Sequence, residues 1–464
     1  MKEKIIYQCS SCGYQSLKWV GRCPGCDSWN TVEETIVQMT KKSTTSKNNI
    51  KKKAPTLKLT DVQGSKSDRI VTQINEFNRV MGGGIVRDSM TIITSPPGGG
   101  KSTLTLAVAN DVAAKGYKVL YASGEESDSQ IKNRADRILN KINENIWIIA
   151  DTSMDHVLET IEEIDPDLVI VDSIQTFSLS QHLPARAGNP TQTMECSNEL
   201  LKVAKNSNKP RAVIMIGQMN KNDEIAGLRS LEHLVDTVLV IEGEDEAELR
   251  GILATKNRFG STGEMGFFSM TERGLLSIDN PSEFFMTKRE EGEVVSGSAL
   301  TVLREGSRPI IVEIESLVSN AFTPYPSRIG EAFRREQLNT LISILEQRGG
   351  INLFNKNVVI KTTGGIKLKE QAVNLAVIMS IASSVYNKGI ANDVVFIADV
   401  GLTGELKKVP ALEARIKELD RMGFKKVYIA KNAFSKTVKF NNIDVVQLKT
   451  LQEVIQQVFS GGKS

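Results

Sequence analysis

The chain has 464 residues, 40% of them hydrophobic and 24% charged, which is more than one ordinary core and gives two or three domains at ~100–200 residues each. With 58 Lys plus Arg against 55 Asp plus Glu, the net charge is only +3, which excludes a globally basic nucleic-acid coat, so a surface for a polyanion must be local. The start carries no apolar signal region and no stretch approaches the ~20 apolar residues of a membrane span, so a cytoplasmic protein without membrane contact is expected.

Cys9, Cys12, Cys23 and Cys26 form two C-x-x-C pairs ten residues apart. Each pair can set two thiolates on one side of a tight knuckle, and two facing knuckles complete a tetrahedral cage, for which Zn²⁺ is favoured over iron. Residues 1–35 are too few to bury a core unaided, so this module would draw much of its folding free energy from the metal, with Trp19 and Trp29 packed around the cage. Residues 36–56 hold Lys41, Lys42, Lys47, Lys51, Lys52 and Lys53 among Ser, Thr and Asn. They read as a flexible basic linker, either a solvated tether or a DNA-contacting arm.

Over residues 57–279, apolar runs alternate with helical stretches. Met90–Thr94, Val119–Ala122, Ile146–Ala150, Leu168–Asp172 and Ala212–Ile216 read as buried strands, and Thr237–Ile241 with Gly251–Thr255 as a hairpin extending the sheet. The pattern predicts an α/β domain with a mainly parallel sheet and helices on both faces. Cys196, within the helical stretch Thr193–Leu201, is a packing thiol, and His156, His182 and His233 have no ligand spacing.

The loop Ser95-Pro96-Pro97-Gly98-Gly99-Gly100-Lys101-Ser102-Thr103 follows a strand and opens the helical stretch Lys101–Lys115, so backbone N–H groups and the helix dipole converge on phosphate oxygens. Lys101 would neutralise the β and γ phosphates of ATP, and the Ser102 hydroxyl would complete a Mg²⁺ shell. Ser95 stands where such loops usually begin with glycine. Asp172, at a strand end, can hold Mg²⁺ through water or merely cap a helix. Glu125 and Glu126 lie past another strand, the position from which a carboxylate orients attacking water; Glu125 is favoured, and either can instead cap the next helix. Lys256 and Arg258 follow what reads as the motor's last strand, where two cations are either ordinary solvated surface or, in a ring, able to reach a neighbouring subunit's γ phosphate.

A third block, 280–464, is a separate α/β unit. Val294–Val302 and Arg308–Glu315 read as paired strands, Ile329–Gln347 and Glu370–Tyr386 as helices, and Val394–Ala398 and Lys426–Ala430 as further strands.

Taken in order, the C-x-x-C pairs, Gly-Lys-Ser, Ser-Gly-Glu-Glu-Ser (123–127), Val-Asp-Ser-Ile-Gln-Thr (171–176) and Lys-Asn-Arg-Phe-Gly (256–260) resemble the bacterial RadA (Sms) family over nearly the whole chain. The resemblance implies a zinc module, a RecA-like P-loop ATPase core and a Lon-protease-like C-terminal domain. It also implies hexameric rings, binding of single-stranded and branched DNA, branch migration or helicase-like unwinding, and work beside a RecA-type recombinase. By position it assigns Lys101 and Ser102 to the nucleotide, Asp172 to the metal, and Lys256 with Arg258 to action between subunits. The segments 175–192 and 218–229 match the two DNA-facing loops, with Arg186, Lys221 and Arg229 as phosphate contacts. Gln218 replaces the histidine usual in the family's Gly-His-Val-Thr-Lys.

Lon-type hydrolysis needs a serine activated by a lysine. Alignment with Lon puts Ala372 and Glu413 at those positions, and Ser383, Ser384 and Lys417 fall off them. The resemblance therefore implies a ring scaffold and DNA-binding surface rather than a protease. Two other classes remain to be weighed, an ATP-dependent Lon-like peptidase and a KaiC-like regulatory ATPase.

Overall fold

The computed structural model describes residues 3–10, 14–16, 18–24, 28–38, 58, 60, 69–218, 229–243, 248–290, 293–323, 325–434 and 439–459. Two compact units divide the chain, Met1–Ser277 and Ile278–Ser464.

In the N-terminal module, Glu3–Cys9 pairs antiparallel with Val32–Gln38 and with Gln15–Ser16. The register Glu3↔Gln38 to Cys9↔Val32 draws residues 36–38, expected in the linker, into the sheet. Residues 39–56 lie outside the described residues. The Cys9 N–H donates to the Tyr14 carbonyl and the Cys23 N–H to the Ser28 carbonyl, both at 2.9 Å, so each cysteine starts a knuckle closed over the same span. Cys9 and Cys23 are buried in one cluster with Val32, against which Tyr7 and Val20 pack. Trp19 and Trp29 are 59% and 69% exposed rather than packed around the cysteines. The Trp19 N–H donates to the Val32 carbonyl at 3.2 Å, and the Arg22 guanidinium lies 5.9 Å from the Trp29 ring centroid, so both rings are satisfied at the surface.

Nine strands form the main sheet of the first unit. Their order is Gly274–Ser277, Met265–Thr271, Leu249–Asn257, Thr237–Glu242, Met90–Ser95, Ala212–Gln218, Leu168–Asp172, Val119–Ser123 and Ile146–Ala150. From Thr237–Glu242 to Ile146–Ala150 every pairing is parallel, and the last three strands continue antiparallel. Apolar side chains line both faces, in one cluster around Phe77, Ile93, Val108 and Tyr121 and another around Ile92, Val157, Phe177 and Leu200. Continuous Val/Ile/Leu runs are what a sheet covered on both sides demands. Ile146–Ala150, expected as buried, is instead the edge strand and half-exposed, with Ile148 39% exposed. Lys256 and Asn257 close the strand Leu249–Asn257, but two more strands follow it, so it is not the last of the sheet.

In the second unit seven strands run in the order Arg328–Gly330, Lys356–Thr362, Arg308–Asn320, Ser298–Glu305, Val394–Ile397, Lys426–Ala430 and Asp444–Leu448. Ser298–Glu305 and Arg308–Asn320 form the expected antiparallel pair, whereas Val294–Val295 breaks off to pair with Ile390–Ala391. The expected helix from Ile329 begins only at Arg335, because Ile329 pairs in a strand with Val359. The next helix is Asn374–Tyr386, with a 3₁₀ turn at Gln371–Val373 where helix was expected from Glu370. Ala372 is buried. Glu413 instead faces outward, paired to Lys417 at 2.7 Å. Ser383 Oγ accepts from the Gly297 N–H at 2.9 Å, and Ser384 Oγ from the Val318 N–H at 3.0 Å.

Candidate nucleotide-binding site

Because neighbouring strands are parallel, Met90–Ser95, Ala212–Gln218, Leu168–Asp172 and Val119–Ser123 all present carboxyl ends at one edge of the sheet. The first carries the phosphate loop and the others end near Gln218, Asp172 and Glu125. Residues 97–103 together with Glu125, Arg134, Asp172, Ser173 and Gln218 line a cavity of about 330 Å³. Lys101–Ala114 opens as a helix directly from the loop, so its free N–H groups face that cavity. Ser95–Thr103 and Asp172 are thus brought together as the sequence suggests.

Lys101 Nζ donates to Ser95 Oγ at 2.9 Å, the Ser95 carbonyl at 3.0 Å and the Pro96 carbonyl at 3.2 Å. Burial lowers its pKa, and the charges of Asp172 and Glu125 work against that. Asp172 is buried and its carboxyl is pushed up by desolvation, while hydrogen bonds from Tyr121 and Ser102 pull it down. The Tyr121 hydroxyl donates to Asp172 Oδ2 at 2.6 Å, so the carboxylate is held beside Ser102 and does not cap a helix. A hydroxyl and an adjacent carboxylate are hard oxygen donors suited to Mg²⁺.

The two glutamates part company. Glu126 is clamped by Arg134, with both N···O distances at 2.5 Å, whereas Glu125 stays on the cavity wall, accepting from the Ser173 hydroxyl and from Gln218 Nε2 at 2.8 Å. Ser127, not a glutamate, caps the helix Asp128–Ile138. Gly124 makes this turn sterically feasible, since a Cβ there would meet Thr176 Oγ1 at 2.1 Å. Arg134, Ser173 and Tyr121 were not singled out from sequence. Arg134 lies a helix turn and more beyond the Glu-Glu pair, and only the ion pair to Glu126 reveals it.

Gln175 and Gln218 clasp each other through two 3.3 Å hydrogen bonds, Gln175 Nε2 to the Gln218 carbonyl and the Gln218 N–H to Gln175 Oε1. They join the roots of the segments 175–192 and 218–229. Arg186 is exposed on the first. Lys221 lies outside the described residues, and Arg229 begins the helix Arg229–Leu234 with its side chain outside them too.

Lys256 and Arg258 do not line the cavity. Lys256 Nζ donates to the Glu232 carbonyl, and Arg258 pairs at 3.0 Å with the buried Asp236, which also takes Lys205 at 3.2 Å. Of the four cysteines, Cys9 and Cys23 are together and buried, and Cys12 and Cys26 lie outside the described residues. Two buried thiols at the start of matched knuckles fit a thiolate-bound metal. Among the described residues no helix is long and apolar enough to cross a membrane.

Residues 7–34 match the rubredoxin metal binding domain, and residues 53–224 match the AAA domain. The chain is 40% identical over 465 residues to the DNA repair protein RadA of Bacillus subtilis (strain 168), covering 99% of this chain and 100% of that one. It is 42% identical over 460 residues to the DNA repair protein RadA of Streptococcus pyogenes serotype M3 (strain ATCC BAA-595 / MGAS315), covering 99% and 100%. With such identity along the full length, and a phosphate loop at the carboxyl edge of a parallel sheet behind a cysteine-knuckle module, the chain belongs to the RadA family, a zinc ribbon followed by a RecA-like core.

Proposed function

We propose that this chain is a DNA-dependent ATPase of homologous recombination and repair that moves along single-stranded DNA and drives branch migration or helicase-like unwinding of recombination intermediates. The observation that supports it best is the line Glu125–Gln218–Gln175, which runs from the nucleotide cavity to the roots of both segments matched to DNA-facing loops. Loop N–H groups and Lys101 would bind the phosphates of ATP, Ser102 and Asp172 would hold Mg²⁺, and Glu125 would orient the attacking water. Bound Mg²⁺ supplies charge neutralisation at the phosphates. Lys256 and Arg258, which do not line their own cavity, suit a neighbour's γ phosphate in a homo-hexameric ring. Arg186, Lys221 and Arg229 would contact DNA phosphates.

In this proposal, residues 1–38 form a Zn²⁺ module held by Cys9, Cys12, Cys23 and Cys26, residues 39–56 a linker, residues 57–279 the motor and residues 280–464 a Lon-like scaffold. The protein works in the cytoplasm beside a RecA-type recombinase. The peptidase alternative is disfavoured by Ala372 and Glu413 at the positions of the Ser-Lys pair, and by the ordinary structural bonds of Ser383, Ser384 and Lys417. A KaiC-like regulatory ATPase would need neither the cysteine knuckles nor the clasped loop roots. ATP turnover and fork unwinding, measured with and without single-stranded oligonucleotide and for Lys101→Ala, test the proposal. Turnover indifferent to oligonucleotide, unwinding that survives Lys101→Ala, or cleavage of casein would sink it.

A further inference from the structure

Ser95 is the one place where the phosphate loop departs from the glycine usual at its start, and the side chain it adds points into the loop. It is fully buried, and a Cβ built on Gly99 would come within 2.3 Å of Ser95 Oγ and 2.7 Å of Ser95 Cβ. The serine therefore fills the space that the absent side chain of Gly99 leaves, and the two positions compensate one another. Ser95 Oγ donates its own proton to the Pro96 carbonyl at 2.6 Å, which leaves its lone pairs to accept from Lys101. With the two backbone carbonyls, the hydroxyl gives the ammonium three acceptors for its three N–H bonds.

We propose that Ser95 is a positioning residue that latches Lys101 inside the loop and thereby weakens nucleotide binding. A phosphate entering the cradle competes with acceptors already in place for every donor of Lys101. The loop's backbone offers the two carbonyl acceptors whatever residue stands at 95; the hydroxyl is the acceptor that a glycine-first loop lacks. Removing it leaves one ammonium proton unmatched in a partly buried setting, which raises the free energy of the latched arrangement relative to the phosphate-bound one. Affinity for any nucleotide with a β phosphate then rises. ADP and ATP gain alike, because the exchange precedes discrimination between them.

This inference rests on the ATPase proposal, and one experiment separates the two. Binding of fluorescently labelled ATP and ADP is titrated on the full chain for the parent, Ser95→Ala, Ser95→Gly and Lys101→Ala, with circular dichroism establishing that each is folded. Ser95→Ala and Ser95→Gly are expected to lower the dissociation constant of both nucleotides by about three- to tenfold, in line with the net worth of one hydrogen bond. A serine that merely packed the loop would on removal loosen it and weaken binding, so the sign of the change is decisive. Binding unchanged or weaker in both variants, with the parent binding normally, overturns the latch and leaves the ATPase proposal standing. A parent that binds neither nucleotide overturns both.

Discussion

Gln218 Nε2 donates to Glu125 Oε1 at 2.8 Å, across the carboxyl end of the intervening strand Leu168–Asp172. One side chain stands at the root of the segment 218–229, proposed to face DNA, and both line the proposed nucleotide cavity. A movement of the loop root that pulls Gln218 away changes the orientation of the carboxylate proposed to aim the attacking water.

Gln218→Ala should therefore uncouple turnover from DNA. Coupling of this kind is typically worth ~1–3 kcal/mol, or ~5–150-fold. The ratio of ATP turnover with oligonucleotide to that without it should fall to less than about twofold in the variant. Retention of the parent's ratio would show that the signal takes another route.

Glu125 and Glu126 are adjacent in sequence and opposite in circumstance, which makes them a matched pair for substitution. Glu125→Gln keeps an acceptor for Ser173 but loses the charge, and kcat should drop ~10²–10⁴-fold, the range for loss of a general base. Glu126→Gln loosens an ion pair in which both side chains are about a quarter exposed, 28% for Glu126 and 24% for Arg134, so stability should change by ~0–1 kcal/mol and kcat by less than about tenfold. Steady-state kinetics of the two variants, with equal or reversed losses, would reject the assignment of Glu125.

The phosphate loop, the parallel strands and the hairpin were legible because each rests on local order: a glycine run between a strand and a helix, and apolar runs too short for helices. Position within the sheet was not. Ile146–Ala150 has the same apolar run as its neighbours, and only the sheet order, which ends there, exposes one side of it. Ile329 and Gly330 read as helix because the residues after them are helical, yet their pairing to Val359 and Ile360, distant in sequence, decides their state. Glu126 and Arg134 could not be told from other charges, since eight residues of spacing carries no signal until the helix Asp128–Ile138 swings the arginine back. Trp19 and Trp29 differ for the opposite reason: size suggests burial, but the described cluster forms around Cys9, Cys23 and Val32, and the indoles find their partners at the surface in the Val32 carbonyl and Arg22.

Cys196 gives a pH test. Burial pushes its thiol up to about 12 from the ordinary 9.0. Only the thiolate alkylates, so peptide-resolved mass spectrometry after iodoacetamide at pH 8 should find Cys196 unmodified in the folded chain and fully modified in urea. Between about pH 9 and pH 12 the folded state keeps a proton that the unfolded state has released, so this thiol makes stability fall as pH rises through that window and has no effect below it. Rapid alkylation at pH 8 in the folded protein would contradict the packing role.

Arg415 supplies the sharpest test of the C-terminal unit. Its side chain is 1% exposed, and its guanidinium donates to the carboxylate of Glu370, to the Val302 carbonyl and, through Nε at 3.2 Å, to the Pro410 carbonyl. Burial lowers its pKa and the charge of Glu370 is the main opposing influence. Glu370 also accepts from the Arg304 N–H at 2.7 Å, so this ion pair is anchored to the strand Ser298–Glu305. Arg415→Met should cost ~3–5 kcal/mol, because two carbonyls and a carboxylate lose their shared donor, and Glu370→Gln should cost a similar amount by leaving the guanidinium buried without a counter-charge. The double variant should recover part of the loss, as matched removal of a buried pair does. Urea midpoints of the four proteins at constant slope measure all three quantities. Single losses below about 1 kcal/mol, or strict additivity, would mean that this unit is not organised around the pair.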